Sequence, residues 1–516
     1  MTTETTTEST TRTSGDGTPG ADPSTTNGPR AETSPARPAR PDRPDRPKDG
    51  PPARAGRLSG REALVLFVLC AAQFMVALDF SVLNVALPVL GRGLGMSPSA
   101  LQWTVTAFAL PSGGFLLLFG RIGDLFGRRG LFLAGLTLFG AASLLATLAW
   151  DPASFLAGRA LQGLAAAAIV PTGMSLLTTT FPEGPARDRA LGISGTLLSL
   201  GFTVGMVAGG VLTDALGWRS TMGLLSLFAL VVLPLAIGLL PASGARDTGA
   251  TDRPRLDVPG AVTVTGGLLS LIYALSTAAE RGFGGADVVT ALVLGVLLLG
   301  AFVRTESRAD APLVSLRMLR RPTVAWGNLG GLVTFSMMST VVFVLTLYLQ
   351  ETLGLSAFET GLVFGVQGVL SAVAGMYAPK VIGRFGARRT LAGSLAGQGA
   401  FVAGMLLLDA HTRSVWIATA GVSLASMFHL GAIISYGLTV TSGVPDEEQG
   451  LATGLVTSTQ QVGITVGIPL LGVLATTSGD LLSGVRTVLA LDAAIVLAAA
   501  ALVAVGLGRR GAARAR

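Results

Sequence analysis

The stretch LFLAGLTLFGAASLLATLAW, residues 131–150, has twenty positions and no charged residue. A bilayer with a hydrocarbon core of about 30 Å needs about 20 apolar residues for a helix to cross it. Short alternating segments, which would indicate a barrel, are absent from the sequence. The pattern therefore predicts an all-α polytopic membrane protein. We place its fourteen spans at residues 63–90, 100–120, 130–150, 154–178, 190–212, 218–240, 258–279, 285–303, 323–349, 356–379, 388–408, 414–440, 450–476 and 485–508.

The composition supports this class. Half of the 516 residues are hydrophobic, only 13% are charged, and the mean hydropathy is +0.62. A water-soluble protein carries roughly 25% charged residues. The single cysteine, Cys70, excludes an internal disulfide and a cysteine-rich metal site. The net charge of +7 does not indicate nucleic-acid binding, because the basic residues lie in tails and loops between apolar spans.

Both ends of the chain differ from the middle. Residues 1–60 begin with a Thr- and Ser-rich segment and continue with ARPARPDRPDRP at 36–47. This stretch has too little apolar surface to fold, so we expect a disordered, solvated tail; contact of its arginines with anionic lipid is the alternative. It lacks the apolar region of a signal peptide. Residues 509–516 form a short basic tail.

The distribution of basic residues predicts the orientation in the membrane. An even number of spans places both termini on one side, and most loop Arg and Lys residues fall on that side. The opposite loops contain only five: Arg92, Arg219, Arg281, Arg413 and Arg486. Because cytoplasmic loops carry the excess of Lys and Arg, we expect both termini in the cytoplasm and the protein in the cytoplasmic membrane.

The sequence also contains an internal repeat. FGRR at 126–129 recurs as FGARR at 385–389, and ALGISG at 190–195 recurs as GLATG at 450–454. Gly127 and Gly386 are 259 residues apart, as are Gly195 and Gly454. The repeat predicts two parallel six-helix halves, residues 61–240 and 323–508, with two inserted spans and linkers in 241–322. Parallel halves of this kind place a substrate site near the membrane midplane.

Two spans contain polar residues suited to proton coupling. Asp79, in LDFSVLNVALP at 78–88, lies roughly two-thirds of the way across span 1 at about 1.5 Å per residue. A carboxyl group at this depth costs about 2.5–3.5 kcal/mol to insert, and loss of water favours its neutral form, so reversible protonation suits it better than a structural hydrogen bond. RALQG at 159–163 puts Arg159 and Gln162 one turn apart and ends in Gly163. Arg159 either holds a carboxylate charged or binds two helices together.

The most specific string is GRIGDLFGRR at 120–129, in the predicted loop between spans 2 and 3. Its glycines permit tight turns and close helix approach, and its acidic residue is placed to pair with the arginines or with a helix N-terminus. We predict a cytoplasmic gate; anchoring by positive charge alone would explain the arginines only. The candidate gate residues are Gly120, Gly123, Asp124, Gly127, Arg128 and Arg129.

Three further features have weaker signals. Span 5 contains GFTVGMVAGG at 201–210, whose glycines form a flat stripe for close helix contact. His429 in span 12 either titrates or packs through hydrogen bonds. Asp492 is expected near the outer end of span 14, in a peripheral position. The glycines of the span 5 motif are Gly201, Gly205, Gly209 and Gly210.

Together these motifs resemble the major facilitator superfamily, specifically its fourteen-span drug:proton antiporter branch. GRIGDLFGRR is similar to the superfamily signature between spans 2 and 3, LDFSVLNVALP to the span 1 motif, and RALQG to the span 4 motif. The resemblance implies that Asp79 is the acidic residue of span 1 and that Arg159 takes part in proton coupling. One departure is that the family's Gly-Pro in span 5 is replaced by Gly205-Met206.

This resemblance implies a transporter that exports drugs, antibiotics or other amphipathic organic compounds by alternating access. Inward proton flow through Asp79 would drive export, with no cofactor, no metal and no catalytic residue. We expect a small-molecule substrate bound near Gln162 and Gly163, with protons and the lipid bilayer as the other partners, no nucleic acid, and a monomer. The alternatives are a proton-coupled nutrient importer on the same fold and, less favoured, a membrane enzyme. No GxxxxGK[ST] sequence supports ATP-driven transport.

Overall fold

The computed structural model describes residues 59–181, 185–240, 258–282, 284–308, 316–444, 446–472, 474–475 and 480–508. The predicted tails at 1–60 and 509–516, apart from Ser59 and Gly60, lie outside these residues. The N-terminal half consists of α1 (Gly60–Leu94), α2 (Pro98–Gly114), α3 (Leu116–Phe126), α4 (Arg128–Thr147), α5 (Pro152–Thr180), α6 (Pro185–Leu216) and α7 (Arg219–Leu239). The inserted pair is α8 (Val258–Arg281) and α9 (Ala286–Glu306). The C-terminal half follows with α10 (Leu316–Leu319), α11 (Pro322–Leu347), α12 (Ala357–Phe385), α13 (Ala387–Gly404), α14 (Ser414–Thr441), α15 (Asp446–Gly467) and α16 (Leu481–Gly508).

The predicted spans coincide with these helices, and the predicted fold class is confirmed. Within the described residues, eleven helices are long and apolar enough to cross a membrane. Spans 2, 7 and 13 are also helical but fall short by that measure. Span 2 is divided at Phe115 into α2 and α3, and the apolar stretch found among the described residues of α8 is Pro259–Leu275. Helix α15 is less apolar, because Thr, Ser and Gln side chains occur along much of its length.

The position of the GRIGDLFGRR motif corrects the sequence prediction. We expected a loop after residue 120, but α3 continues to Phe126 and only Gly127 separates it from α4. Gly127 has φ 108°, and Gly386, 259 residues later, has φ 80° between α12 and α13. Since only glycine adopts such conformations without strain, both halves use one glycine to reverse the chain between adjacent spans.

The surface pattern fits a protein surrounded by lipid. Large apolar side chains are exposed along α7 and α9, including Leu230, Val296 and Leu297. In contrast, α1 and α11 are largely buried within the bundle. Polar side chains that these two helices bury, such as Asp79 and Thr334, are thereby kept away from lipid, which cannot solvate them.

Glycines allow α6 to lie directly against α1. A Cβ atom on Gly205 would be 1.9 Å from the Ser81 Oγ, and a Cβ atom on Gly209 would be 2.9 Å from the Val82 Cα. Gly201 faces the same helix, at 3.0 Å from the Phe74 carbonyl oxygen. The three glycines thus form one contact surface, as their four-residue spacing predicts.

The opposite side of α6 contacts α12 of the C-terminal half. A Cβ atom on Gly210 would be 2.6 Å from the Ala357 carbonyl oxygen, and one on Gly361 would be 2.6 Å from the Met206 carbonyl oxygen. Near the C-terminal end of α6, the Asp214 carboxylate accepts the backbone N–H groups of Ala357 (3.2 Å) and Phe358 (2.9 Å). A side chain of one half therefore caps a helix of the other half.

Further polar contacts join the two halves on the same side. The Gln350 Nε2 donates to the Val85 carbonyl oxygen at 2.8 Å, and this amide is buried. Arg92 and Glu351 form an exposed ion pair with 2.7 Å between Nη1 and Oε1. These contacts join the halves at the C-terminal ends of α1, α6 and α11.

The α1–α6 contact leads to a stability prediction. We expect Gly209→Ala to destabilise the protein by about 1–3 kcal/mol, because the added methyl group meets backbone atoms that cannot rotate away. Gly195→Ala, on the same helix with nothing within 4 Å of its Cβ position, is the matched control and should be neutral or slightly stabilising. Melting temperatures of the two purified variants in detergent test this, and equal values would contradict the packing argument.

Candidate functional site

Asp79 and Arg159 form an ion pair inside the N-terminal half. The Arg159 Nη1 lies 2.7 Å from the Asp79 Oδ1 and 2.8 Å from the Oδ2, and both side chains are 0% exposed. Helix α1 supplies the carboxylate and α5 the guanidinium group. The structure therefore brings together the two residues that the sequence singled out separately.

Hydrogen bonds from α2, α4 and α5 hold this pair in place. The Arg159 Nη1 also donates to the Gln162 Oε1 at 2.8 Å, and the Arg159 Nε donates to the Thr104 carbonyl oxygen at 3.1 Å. The Gln162 Nε2 donates to the Ser143 Oγ at 2.8 Å and lies 3.4 Å from the Asp79 Oδ1. Gln162 is thus oriented by Ser143, with its carbonyl group toward the arginine.

The close approach of α2 and α5 positions the guanidinium group. A Cβ atom on Gly163 would be 2.0 Å from the Phe108 carbonyl oxygen, so only glycine fits there. The Phe108 ring lies 4.6 Å from the Arg159 Cζ, close enough for a cation–π interaction. Gly163 is therefore a packing residue in this structure, and its effect on the site comes through Arg159.

The network explains how a buried ion pair can persist in a membrane. Two charges removed from water are tolerated when their attraction is supplemented by hydrogen bonds to the remaining polar atoms. Here Asp79 and Arg159 have such bonds, although the Arg159 Nη2 has no hydrogen-bond partner among the described residues. Protonation of Asp79 would remove one charge and weaken its bond to the guanidinium group.

Three participants in this site were missed by the sequence analysis. Thr104 contributes a backbone carbonyl, which no motif marks, and Ser143 is one of several hydroxyl residues in an uncharged span. Nothing in the sequence distinguished Phe108 from Trp103, the other aromatic residue of α2. Within the described parts of the chain, no group of three or more His, Cys, Asp or Glu side chains is placed to hold a metal ion.

The candidate gate residues are located at the cytoplasmic ends of α3 and α4 in the predicted topology. A Cβ atom on Gly123 would be 2.9 Å from the Thr172 Cγ2, and Gly120 lies opposite Pro171, so both glycines allow α3 to approach α5. The Arg129 Nη2 donates to the Ile237 carbonyl oxygen at 2.7 Å, near the C-terminus of α7. This contact places a positive charge where the helix dipole favours one.

The gate prediction also includes an ion pair formed by Asp124. The side chain of Asp124 lies outside the described set, so its predicted pairing with Arg128 or Arg129 stays a prediction. Arg128 begins α4 directly after Gly127.

The structure also shows the surroundings of two polar residues that the sequence singled out in the C-terminal half, His429 and Asp492. The His429 Nδ1 lies 2.8 Å from the Thr334 Oγ1, which fits the expectation of a hydrogen-bonded histidine. The expectation that Asp492 is peripheral is wrong, because its side chain is fully buried. Neither carboxyl oxygen of Asp492 has a hydrogen-bond partner among the described residues. Helix α16 begins eleven residues before it, at Leu481, rather than at residue 485, and packs against α11 and α13.

The ion pair gives a second stability prediction. Arg159→Gln leaves the Asp79 carboxylate buried without its cation, so we expect a loss of about 3–5 kcal/mol. The double variant Asp79→Asn/Arg159→Gln should recover part of that loss, because it removes the uncompensated charge. Melting temperatures of wild type, both single variants and the double variant complete the cycle. Additive losses would show that the two side chains are not coupled.

Comparisons with known proteins agree with this architecture. The profile of the Major Facilitator Superfamily matches residues 69–468. The chain is 38% identical to the cephamycin export protein CmcT of Amycolatopsis lactamdurans over 84% of this chain and 88% of that protein. It is 38% identical to the puromycin resistance protein pur8 of Streptomyces alboniger over 80% and 81% of the two chains. The crystal structure of the POT family transporter PepTSo shares the fold, with a TM-score of 0.65 at 16% identity over 86% and 98% of the two chains. The repeated halves and the match across most of the chain establish that this protein belongs to the Major Facilitator Superfamily.

Proposed function

We propose that this protein is a proton-coupled exporter of amphipathic organic compounds, among them antibiotics, in the cytoplasmic membrane. The observation that carries the proposal is the buried ion pair of Asp79 and Arg159, since it links a protonatable group to a permanent charge inside the N-terminal half. Export is favoured over nutrient import because the relatives reported above are named for export and resistance.

In the proposed cycle, Asp79 is the residue that gains and loses the proton. We assign the described conformation, in which the carboxyl group is paired with Arg159, to the deprotonated state of this cycle. Protonation from the outside would break the pair and free Arg159 to rearrange with Gln162. Release of the proton to the cytoplasm would restore the pair.

Alternating access requires the two halves to separate on one side at a time. Contacts such as the Asp214 cap on α12 would form and break in this cycle. Residues 120–129 would act at the opposite end of the bundle, where Arg129 already links α4 to α7. We place both termini in the cytoplasm, because the loops on their side carry most of the basic residues. The protein is proposed to work as a monomer, without a cofactor and without catalytic chemistry.

The proposal is tested first by drug susceptibility. A host without its own efflux pumps would express wild type, Asp79→Asn or Asp492→Asn at matched levels. We expect wild type to raise resistance to some of a panel of antibiotics and cationic dyes, and Asp79→Asn to abolish it. Asp492→Asn is the matched control, since Asp492 is equally buried but lies outside the network, and it should retain resistance.

Proton coupling can be measured directly as dissipation of a pH gradient. In everted vesicles with an acidic interior, addition of an exported compound should dissipate the pH gradient with wild type and not with Asp79→Asn. Resistance that survives Asp79→Asn would refute the proton site while leaving export intact. Acid-driven uptake of a compound into cells would instead identify an importer.

A further inference from the structure

A second polar cluster occupies the C-terminal half. The Thr334 Oγ1 lies 2.5 Å from the Gln398 Oε1 and 2.8 Å from the His429 Nδ1. These residues belong to α11, α13 and α14, which correspond through the 259-residue repeat to α1, α4 and α5. The two clusters are therefore built on equivalent helices of the two halves, although they contain different residues.

The two clusters differ in depth by about one helical turn. Residue 338 corresponds to Asp79 and residue 402 to Ser143 when 259 is added. Thr334 and Gln398 each precede those positions by four residues, about one helical turn. The C-terminal cluster thus lies about one turn closer to the N-terminal ends of α11 and α13 than its counterpart does in α1 and α4.

The distances assign the tautomer of the histidine. A threonine hydroxyl has one proton to donate, and the distance of 2.5 Å to the Gln398 Oε1 lies at the short end of the range of O–H···O bonds and below that of N–H···O bonds. The Thr334 Oγ1 must then accept from the ring, so the proton of the neutral imidazole is on Nδ1. The Nε2 atom is left with a lone pair, as an acceptor.

The surroundings leave this acceptor available. Thr334 and Gln398 are fully buried, whereas the His429 ring is only partly buried. The edge-to-face contact with Phe335, at 5.4 Å between ring centroids, fixes the ring plane. In the part of the chain that the structure describes, His429 has no hydrogen bond other than the one to Thr334. The ring is therefore hydrogen-bonded through Nδ1, and its Nε2 has no hydrogen-bond partner among the described residues.

We propose that His429 is a substrate-recognition residue of the C-terminal half, and that its Nε2 accepts a hydrogen bond from a hydroxyl, amide N–H or ammonium group of the exported molecule. The proposal rests on the proposed export function. It divides the roles between the halves: Asp79 and Arg159 couple transport to the proton, while His429 selects for a hydrogen-bond donor. If the acceptor is removed, the site should lose affinity for compounds that carry a hydrogen-bond donor. Its affinity for compounds without a donor should not change.

Two lipophilic cations allow compounds with and without a hydrogen-bond donor to be compared. Ethidium carries aromatic amino groups that donate hydrogen bonds, whereas tetraphenylphosphonium has no N–H or O–H group. We expect His429→Phe, which keeps an aromatic ring without an acceptor, to slow ethidium efflux about fivefold and to leave tetraphenylphosphonium efflux unchanged. His429→Gln, which restores an acceptor, should recover part of the ethidium rate. Equal effects on both cations, or on neither, would overturn the proposal. Absence of efflux of either cation by wild type would count against the proposed function instead.

A spectroscopic measurement tests the acceptor without relying on export. The chain contains only two histidines, so protein labelled with nitrogen-15 in histidine gives signals from His411 and His429 alone. His411→Asn leaves the His429 signals, which should show a protonated Nδ1 and an unprotonated Nε2. Addition of ethidium should shift the Nε2 resonance, and tetraphenylphosphonium should not. A protonated Nε2 in the neutral ring, or an Nε2 resonance insensitive to ethidium, would refute the proposal.

Discussion

Hydrocarbon supplies no hydrogen-bond partners, and this constraint shapes the protein at every level. Backbone groups are satisfied within helices, and many hydroxyl groups in the spans bond back to a carbonyl of the preceding turn, as Thr346 does to Val342 at 2.8 Å and Thr439 to Ser435 at 2.6 Å. A charged side chain cannot be stabilised by a carbonyl group of its own helix in this way. Asp79 and Arg159 must therefore find partners on other helices, and the network around them joins α1, α2, α4 and α5.

Glycine has a second role, in helix contact. Without a hydrophobic driving force between helices in lipid, association depends on close packing and hydrogen bonds. Helix α6 uses glycines against α1 on one side and against α12 on the other. The residue at 206, where the family resemblance leads one to expect proline, is a buried methionine whose carbonyl oxygen meets Gly361. The contact between the halves thus uses glycines on both helices, Gly210 on α6 and Gly361 on α12.

The two halves share a backbone plan but differ in polarity. The N-terminal half buries an ion pair, whereas the C-terminal half has a neutral cluster of Thr334, Gln398 and His429 at equivalent helices. This difference suits a transporter in which one half couples to protons and the other distinguishes substrates. Asp492 does not fit either cluster, since its carboxyl group is buried without a hydrogen-bond partner among the described residues.

The sequence alone predicted the fold class, the duplicated halves and two of the candidate site residues. Span length and the scarcity of charge predicted the helical membrane fold, because lipid enforces a simple relation between hydrophobicity and position. The 259-residue repeat predicted the duplicated halves, and the cost of an intramembrane charge identified Asp79 and Arg159 as candidates. Their direct contact, the support from Ser143 and Thr104, and the burial of Asp492 were decided by tertiary structure. These depend on which faces of distant helices meet, and a hydropathy pattern contains no information about helix rotation in a bundle whose helices are apolar on nearly every side.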